Sequence, residues 1–202
     1  MLTIYHGANT RSMRVIWLAE ELGLSYEIRT LKFLEKEHKE PAYLAINPLG
    51  KLPAIQDGDL HLYESGAICD YLIAKAGATH LEPERGTSDY GLCRQWVYFA
   101  EATLMASIGT IAQHTMLRPE EDRIPQVRDE AIENTAKGLS ILEAAIKDKD
   151  YLCGDTFSLA DIMTGYDLHL ANMFGQVTDA YPNLKAYQAR LSARPGFQKA
   201  VA

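Results

Sequence analysis

Apolar residues keep two different rhythms along this chain, and the change near residue 78 limits the available folds more than any other feature. Before it, strand and helix patterns alternate. Leu2-Thr3-Ile4-Tyr5 is a short β-rich run, followed by the polar loop HGANTRS. Val15, Leu18, Ala19 and Leu22 then recur at i, i+3, i+4 and i+7, one face of a helix that Gly23 terminates. Tyr26, Ile28 and Thr30 alternate as a second strand, and a helix between two strands predicts a right-handed parallel crossover. AIQD and LHLY, joined by Asp57-Gly58-Asp59, predict a hairpin, and ESGAICDYLIAKAG predicts a helix from about Ser65 to Gly77.

From about Asp89 onward the strand rhythm is gone. YGLCRQWVYFAEATLMASIGTIAQHTML, IPQVRDEAIENTAKGLSILEAAIK, LADIMTGYDLHLANMF and YPNLKAYQARLSA all read as helices. Pro125 suits a first helical position, and Ser158 with Asp161 has the spacing of a capping box, a folding device rather than a catalytic site. The charged stretch HLEPERGTSD separates the halves. The expectation is therefore an α/β domain over residues 1–78, a linker over 79–88, and an all-α domain over 89–202. Strand–helix–strand followed by hairpin and helix, with a proline opening the third strand, is the plan of a thioredoxin-like domain with a mixed four-stranded sheet.

Composition removes several function classes. Twenty basic against 27 acidic residues give a net charge of −7, which argues against nucleic acid or an anionic membrane as partner. No apolar run approaches the roughly 20 residues that span a bilayer, and the amino terminus lacks a signal-peptide layout. A cytoplasmic protein is expected. Cys69, Cys93 and Cys153 are few, odd in number and widely spaced, so neither a disulfide framework nor a metal site is indicated.

One local feature asks for an explanation. In INPLGKLPAIQD, Pro53 opens a predicted core strand although it has no amide hydrogen to give a sheet. Either it merely starts the strand, or the Leu52 backbone is left to pair with something outside the protein. A second feature concerns sulfur. Thioredoxins place C-x-x-C at the start of the first helix, and this chain has Asn9-Thr10-Arg11-Ser12 there. A sulfur nucleophile at that place has to arrive with a ligand.

The stretches RVIWLAEELGL, INPLGKLPAIQDGDLHLYESGAICDYL and FSLADI, in this order on this frame, resemble a cytosolic-type glutathione S-transferase over essentially the whole chain. WVYFAEATL further resembles bacterial and fungal branches, and the loop after the first strand the serine/threonine type. The resemblance implies a cis Leu52–Pro53 bond and a Leu52 main chain that pairs with the cysteinyl part of glutathione. It implies Ser65 and Gly66 as donors to the γ-glutamyl carboxylate at a helix start, Glu64 facing the ammonium group, and Lys51 with His38 at the glycyl end. Thr10 is the first candidate for activating the thiol, with Ser12, Asn9 and Tyr5 as further candidates and Arg11 adding positive field. Met105, Gln113, His114, Met116, Leu117 and Phe174 are candidates for the electrophile site; apolar residues at such spacing are more often core.

The resulting expectation is an enzyme, a homodimeric glutathione transferase conjugating the tripeptide, as co-substrate, to an apolar electrophile, with no metal. Glu101 would reach toward the partner's ligand. A glutathione-dependent peroxidase or disulfide reductase, or a non-catalytic interaction module of the same fold, are the alternatives. Retention on immobilised glutathione separates an active site from a module.

Overall fold

The computed structural model describes residues 1–77 and 79–202, which divide into two compact units. The first comprises Met1–Thr79 with Ser192–Ala202, the second His80–Leu191. The expected end of the first domain, residue 78, lies outside the described residues.

In the first unit, strands β1 (Leu2–His6), β2 (Tyr26–Thr30), β3 (Ala54–Asp57) and β4 (Leu60–Tyr63) form one sheet in the order β2-β1-β3-β4. Helix α1 (Ser12–Glu21) carries the chain back, so β1 and β2 pair in parallel, with Ile4 opposite Ile28. β3 is antiparallel to β1 and to its hairpin partner β4. This is the mixed sheet expected from the element order. Every residue of α1 from Ser12 to Ala19 is buried. A four-residue helix α2 (Pro41–Leu44), which has no apolar periodicity to announce it, precedes the INPLGKLP stretch. Helix α3 (Ser65–Ala76) ends on Gly77, whose φ of 63° is the left-handed stop that glycine allows.

The second unit is helical throughout its regular structure. α4 (Ser88–Tyr98) starts on Thr87, whose hydroxyl oxygen accepts the Tyr90 amide at 3.2 Å. It runs through a wider π-helical stretch (Phe99–Leu104) into α5 (Met105–Ala112) and a second π-helical stretch (Gln113–Leu117). α6 (Pro125–Ile146) begins at its proline, as its sequence predicts. α7 (Leu159–Met173) is buried on all sides from Leu159 to Leu168, the pattern of a helix at the centre of a core. The Ser158–Asp161 capping box is present at its start. The Asp161 carboxylate also accepts the Leu152 amide at 2.9 Å and the Tyr187 hydroxyl at 2.5 Å, so its role is structural. α8 (Pro182–Ser192) completes the unit.

The last helix, α9 (Pro195–Val201), differs from the sequence expectation, which ended the helices at Ala193 and kept the tail in the second domain. Phe197 packs edge-on against Trp17 of α1 at 5.1 Å, and Arg194 forms a two-pronged bond to Glu21. Gly196 permits the close approach: a Cβ there would lie 2.8 Å from Trp17 Cδ1. These contacts draw the tail into the first unit.

Candidate functional site

Sheet register explains why three distant loops meet. Tyr5 stands opposite Ala54, and Ala54 opposite Tyr63. The chain leaving β1, entering β3 and leaving β4 therefore emerges from the same end of the sheet. Neighbouring strands lie about 4.8 Å apart, so residues 7–12, 51–53 and 64–66 fall side by side, with 51–53 in the middle.

The middle loop is held from behind. Asn47 Nδ2 donates to the Lys51 carbonyl at 2.7 Å, and the Tyr43 hydroxyl donates to the same oxygen at 2.6 Å. The Asn47 side-chain oxygen accepts the Leu49 amide at 3.0 Å, and its main-chain carbonyl accepts the Gly50 amide at 2.8 Å. Lys39 Nζ caps the Gly50 carbonyl at 2.6 Å. Leu52–Pro53 is cis. Beyond it β3 pairing begins at Ala54, and among the described residues neither the amide nor the carbonyl of Leu52 has a hydrogen-bond partner. An unpaired main-chain donor and acceptor beside a sheet is a site for β-augmentation by a peptide.

On one side lies the start of α3. Glu64 has φ 72° and ψ 112°, a sparsely populated conformation for a residue with a side chain, and such strain collects at ligand sites. No side chain caps this helix start. The buried Ser65 hydroxyl oxygen lies 3.1 Å from Nη1 of Arg14, itself fully buried. A guanidinium only donates, so the serine oxygen accepts and its proton is turned away from Arg14. A fixed donor, the helix-start amides and a cation behind them together suit a carboxylate.

On the other side is the loop after β1. Gly7 lies against Leu52: a Cβ at Gly7 would be 2.8 Å from Leu52 Cδ1 and 3.4 Å from Thr10 Cγ2. Thr10 and Leu52 thus flank the same point. Thr10, however, is buried, with its hydroxyl 2.8 Å from the Gly7 carbonyl and 2.7 Å from Ser12 Oγ. Ser12 is fully buried and also lies 2.8 Å from Nδ1 of His6, whose pKa burial lowers. Tyr5 turns elsewhere. Its ring packs 5.5 Å from that of Tyr43, its hydroxyl donates to Gln56 at 3.4 Å, and it lines a cavity of about 360 Å³ with Arg29 and Glu37. Asn9 is exposed and holds φ 56°, a left-handed conformation that asparagine tolerates; Arg11 is half-buried beside it.

Lys51 is exposed at the mouth of the middle loop. His38 is buried, stacked on Phe33 at 4.4 Å, and burial followed by the Lys39 and Lys36 charges lowers its pKa. Its Nδ1 has no hydrogen-bond partner among the described residues. In the second unit, Met105 and His114 are buried, and His114 Nδ1 accepts the Ile124 amide at 2.9 Å. Gln113 and Met116 are exposed, while Leu117 and Phe174 are half-buried. Among the described residues no group of three or more His, Cys, Asp or Glu is arranged to hold a metal ion, and no helix is long and apolar enough to cross a membrane.

Sequence reasoning missed Arg14, Asn47, Tyr43, Lys39 and His6. Asn47 carried a signal, since asparagine before a turn bonds its own backbone two residues on. Arg14 carried none, because periodicity marks a face and does not tell that a charge on it is buried.

Two family descriptions match the sequence: "Glutathione S-transferase, N-terminal domain" over residues 1–74 and "Glutathione S-transferase, C-terminal domain" over residues 104–195. Among curated relatives, probable glutathione S-transferase GSTF1 of Oryza sativa subsp. japonica is 34% identical, covering 96% of this chain and 92% of its own. Among solved structures, glutathione transferase F7 from Populus trichocarpa is 29% identical with a TM-score of 0.86, covering 99% of this chain and 97% of its own. Glutathione transferase URE2P6 from Phanerochaete chrysosporium, solved in complex with oxidized glutathione, is 27% identical with a TM-score of 0.86, covering 98% and 94%. With both domains matched, a relative above 30% identity over nearly its full length, and the fold in agreement, the chain belongs to the glutathione S-transferase family.

Proposed function

We propose that this chain is a glutathione transferase that pairs the cysteinyl main chain of glutathione with Leu52, stabilises its thiolate at the 7–12 loop, and presents it to an apolar electrophile. The observation that carries the reading is the unpaired Leu52 main chain, which the register sets between that loop and the start of α3. The γ-glutamyl carboxylate accepts hydrogen bonds from the Ser65 hydroxyl and from the Ser65 and Gly66 amides, the γ-glutamyl ammonium group faces Glu64, and the glycyl carboxylate faces Lys51 and His38. Pro53 and Arg11 complete the surround.

Burial weighs on the choice of activating group. Thr10 and Ser12 have their hydroxyls engaged with each other and with Gly7, and Tyr5 is turned toward Tyr43. Asn9 is the exposed candidate, so we place its carboxamide, ahead of Thr10, as the donor to sulfur. A thiol of pKa near 8.5 lowered by about two needs roughly 2.7 kcal/mol. One hydrogen bond to a charged group supplies about 1.5–3 kcal/mol. The thiol proton leaves to solvent, and the thiolate forms a carbon–sulfur bond by addition or by displacing a leaving group.

Gln113, Met116 and Leu117, exposed or half-buried, are the accessible ones among the electrophile candidates; Met105 and His114 are buried, and Phe174 is the remaining aromatic candidate. A first domain over residues 1–78 and a second from residue 89 onward, with the tail from Ser192 grouped with the first, assembly as a homodimer with Glu101 near the partner's ligand, and a cytoplasmic setting belong to the same proposal. So does the bacterial, serine/threonine-type branch, amended by the weight now given to Asn9.

The test is to titrate the bound glutathione thiol by its ultraviolet thiolate band. Asn9→Ala is expected to raise its pKa by about 1–2, the equivalent of one lost charged hydrogen bond. A rise confined to Thr10→Val, or to Tyr5→Phe, overturns the Asn9 assignment, and failure of the wild type to bind glutathione overturns the function.

A further inference from the structure

Half-buried His6 and buried Ser12 and Thr10 form a chain of short contacts whose protons can be counted. His6 Nδ1 lies 2.8 Å from Ser12 Oγ, Ser12 Oγ lies 2.7 Å from Thr10 Oγ1, and Thr10 Oγ1 lies 2.8 Å from the Gly7 carbonyl oxygen. The Gly7 amide also donates to Ser12 Oγ at 3.3 Å, the Ser12 amide approaches Thr10 Oγ1 at 3.5 Å, and Ser12 Oγ lies 3.4 Å from the Gly7 carbonyl oxygen, much longer than its 2.7 Å contact with Thr10. Each hydroxyl has one proton to give and two lone pairs to receive with.

The Gly7 carbonyl only accepts, so its contact needs the Thr10 proton. The Thr10–Ser12 contact then needs the Ser12 proton. Ser12 has none left for His6, so His6 Nδ1 must be the donor. In that direction, His6 to Ser12 to Thr10 to Gly7, every short contact carries a hydrogen, and each hydroxyl oxygen accepts exclusively from the two donors around it. Run the other way, with Nδ1 accepting, two oxygens are left facing each other at 2.7 or 2.8 Å with no proton between them. Burial lowers the His6 pKa, so the ring is neutral near pH 7 and its single proton has to be on one nitrogen or the other.

We infer that His6 keeps this proton on Nδ1 and acts as a positioning residue for thiol activation, fixing the direction of the buried chain that closes the turn bearing Asn9. The connection to Asn9 is short. The Gly7 carbonyl accepts both the Thr10 hydroxyl and, at 3.2 Å, the Thr10 amide, and between Gly7 and Thr10 lies Asn9 in its left-handed conformation. Losing the donor at position 6 leaves the direction unfixed, so the Thr10 proton is free to turn from the Gly7 carbonyl to Ser12 Oγ and open the hydroxyl end of that clasp. The inference rests on the reading of Asn9 as the thiolate's donor.

The test has a spectroscopic and a functional arm. Nitrogen-15 NMR of the His6 ring in the wild-type protein is expected to show a protonated Nδ1 and an unprotonated Nε2 at neutral pH; the opposite tautomer overturns the inference without any variant having to fold. In the functional arm, His6→Leu, which has no donor, is expected to raise the bound thiol pKa and lower kcat about tenfold while affinity for S-methylglutathione changes less than about twofold. His6→Asn, whose side-chain amide nitrogen occupies the place of Nδ1, is expected to restore most of the loss. Equal behaviour of the two variants overturns the inference. Asn9→Ala, run alongside, separates the failures: if it leaves the thiol pKa unchanged, the Asn9 reading falls, and if it raises the pKa while His6→Leu does not, the His6 inference alone falls.

Discussion

Removing the Ser65 hydroxyl examines the anion end of the site and has a magnitude that follows from two residues. Ser65 is 3% exposed and Arg14 is fully buried, and Nη1 of Arg14 donates to Ser65 Oγ at 3.1 Å. The hydroxyl proton is thereby aimed away from the guanidinium, toward the uncapped start of α3. In Ser65→Ala the γ-glutamyl carboxylate loses one charge-assisted hydrogen bond, about 1.5–3 kcal/mol. At 1.4 kcal/mol per factor of ten, the Kd rises about 10–100-fold. The assay is calorimetric titration with S-methylglutathione, which removes thiol ionisation from the measurement. A second ligand, 4-aminobutyryl-S-methylcysteinylglycine, lacks only the γ-glutamyl α-carboxylate, and its affinity is expected to change less than about twofold on the same substitution. Ser65→Thr, which keeps a hydroxyl, recovers most of the loss. An equal loss for both ligands would mean that Ser65 supports the helix start without touching the carboxylate, and the reasoning fails.

Other outcomes follow from the same geometry. Asn47→Ala deletes the bonds to the Lys51 carbonyl and Leu49 amide, together about 1–3 kcal/mol; steady-state kinetics should show the glutathione KM raised about tenfold with kcat little changed. Gly196→Ala forces a Cβ to 2.8 Å from Trp17 Cδ1 and 3.2 Å from its carbonyl oxygen, and denaturant unfolding should show a loss of about 1–3 kcal/mol. Burial lowers the pKa values of His6, His38 and His169 below the ordinary 6.5. The unfolded chain then takes up protons first, so stability is fully present above pH 6.5 and is lost as pH falls below it toward the folded values. Thermal unfolding at stepped pH checks the sign, and a rise in Tm on acidification through that range contradicts it.

Much of the fold was legible because its determinants are local. The helix face Val15, Leu18, Ala19 and Leu22, the Asp57-Gly58-Asp59 turn and the Ser158–Asp161 box each depend on residues a few positions apart. The α9 docking was not, since it depends on Phe197 meeting Trp17 and Arg194 meeting Glu21 across most of the chain's length. The site divides the same way. Pro53 by itself only raises the question of the Leu52 main chain, and the roles of Leu52 and Ser65 come with the family resemblance. Ranking Asn9 against Thr10 needs the direction of side chains in the loop between β1 and α1. That direction is set by the Gly7 carbonyl and by His6, and composition and spacing do not carry it. His38 illustrates the same limit: KEHKEP reads equally as a solvated loop or as a segment offering a ligand, and neither reading tells that His38 is buried against Phe33.

The most direct test of the glutathione-binding claim is amide hydrogen exchange at Leu52, followed by NMR as S-methylglutathione is added. A bound tripeptide that pairs as an added strand should slow exchange of the Leu52 amide by at least about tenfold at saturation, with its resonance shifting in step with occupancy. Saturable binding that leaves the Leu52 amide exchanging as before would place the ligand elsewhere and contradict the account.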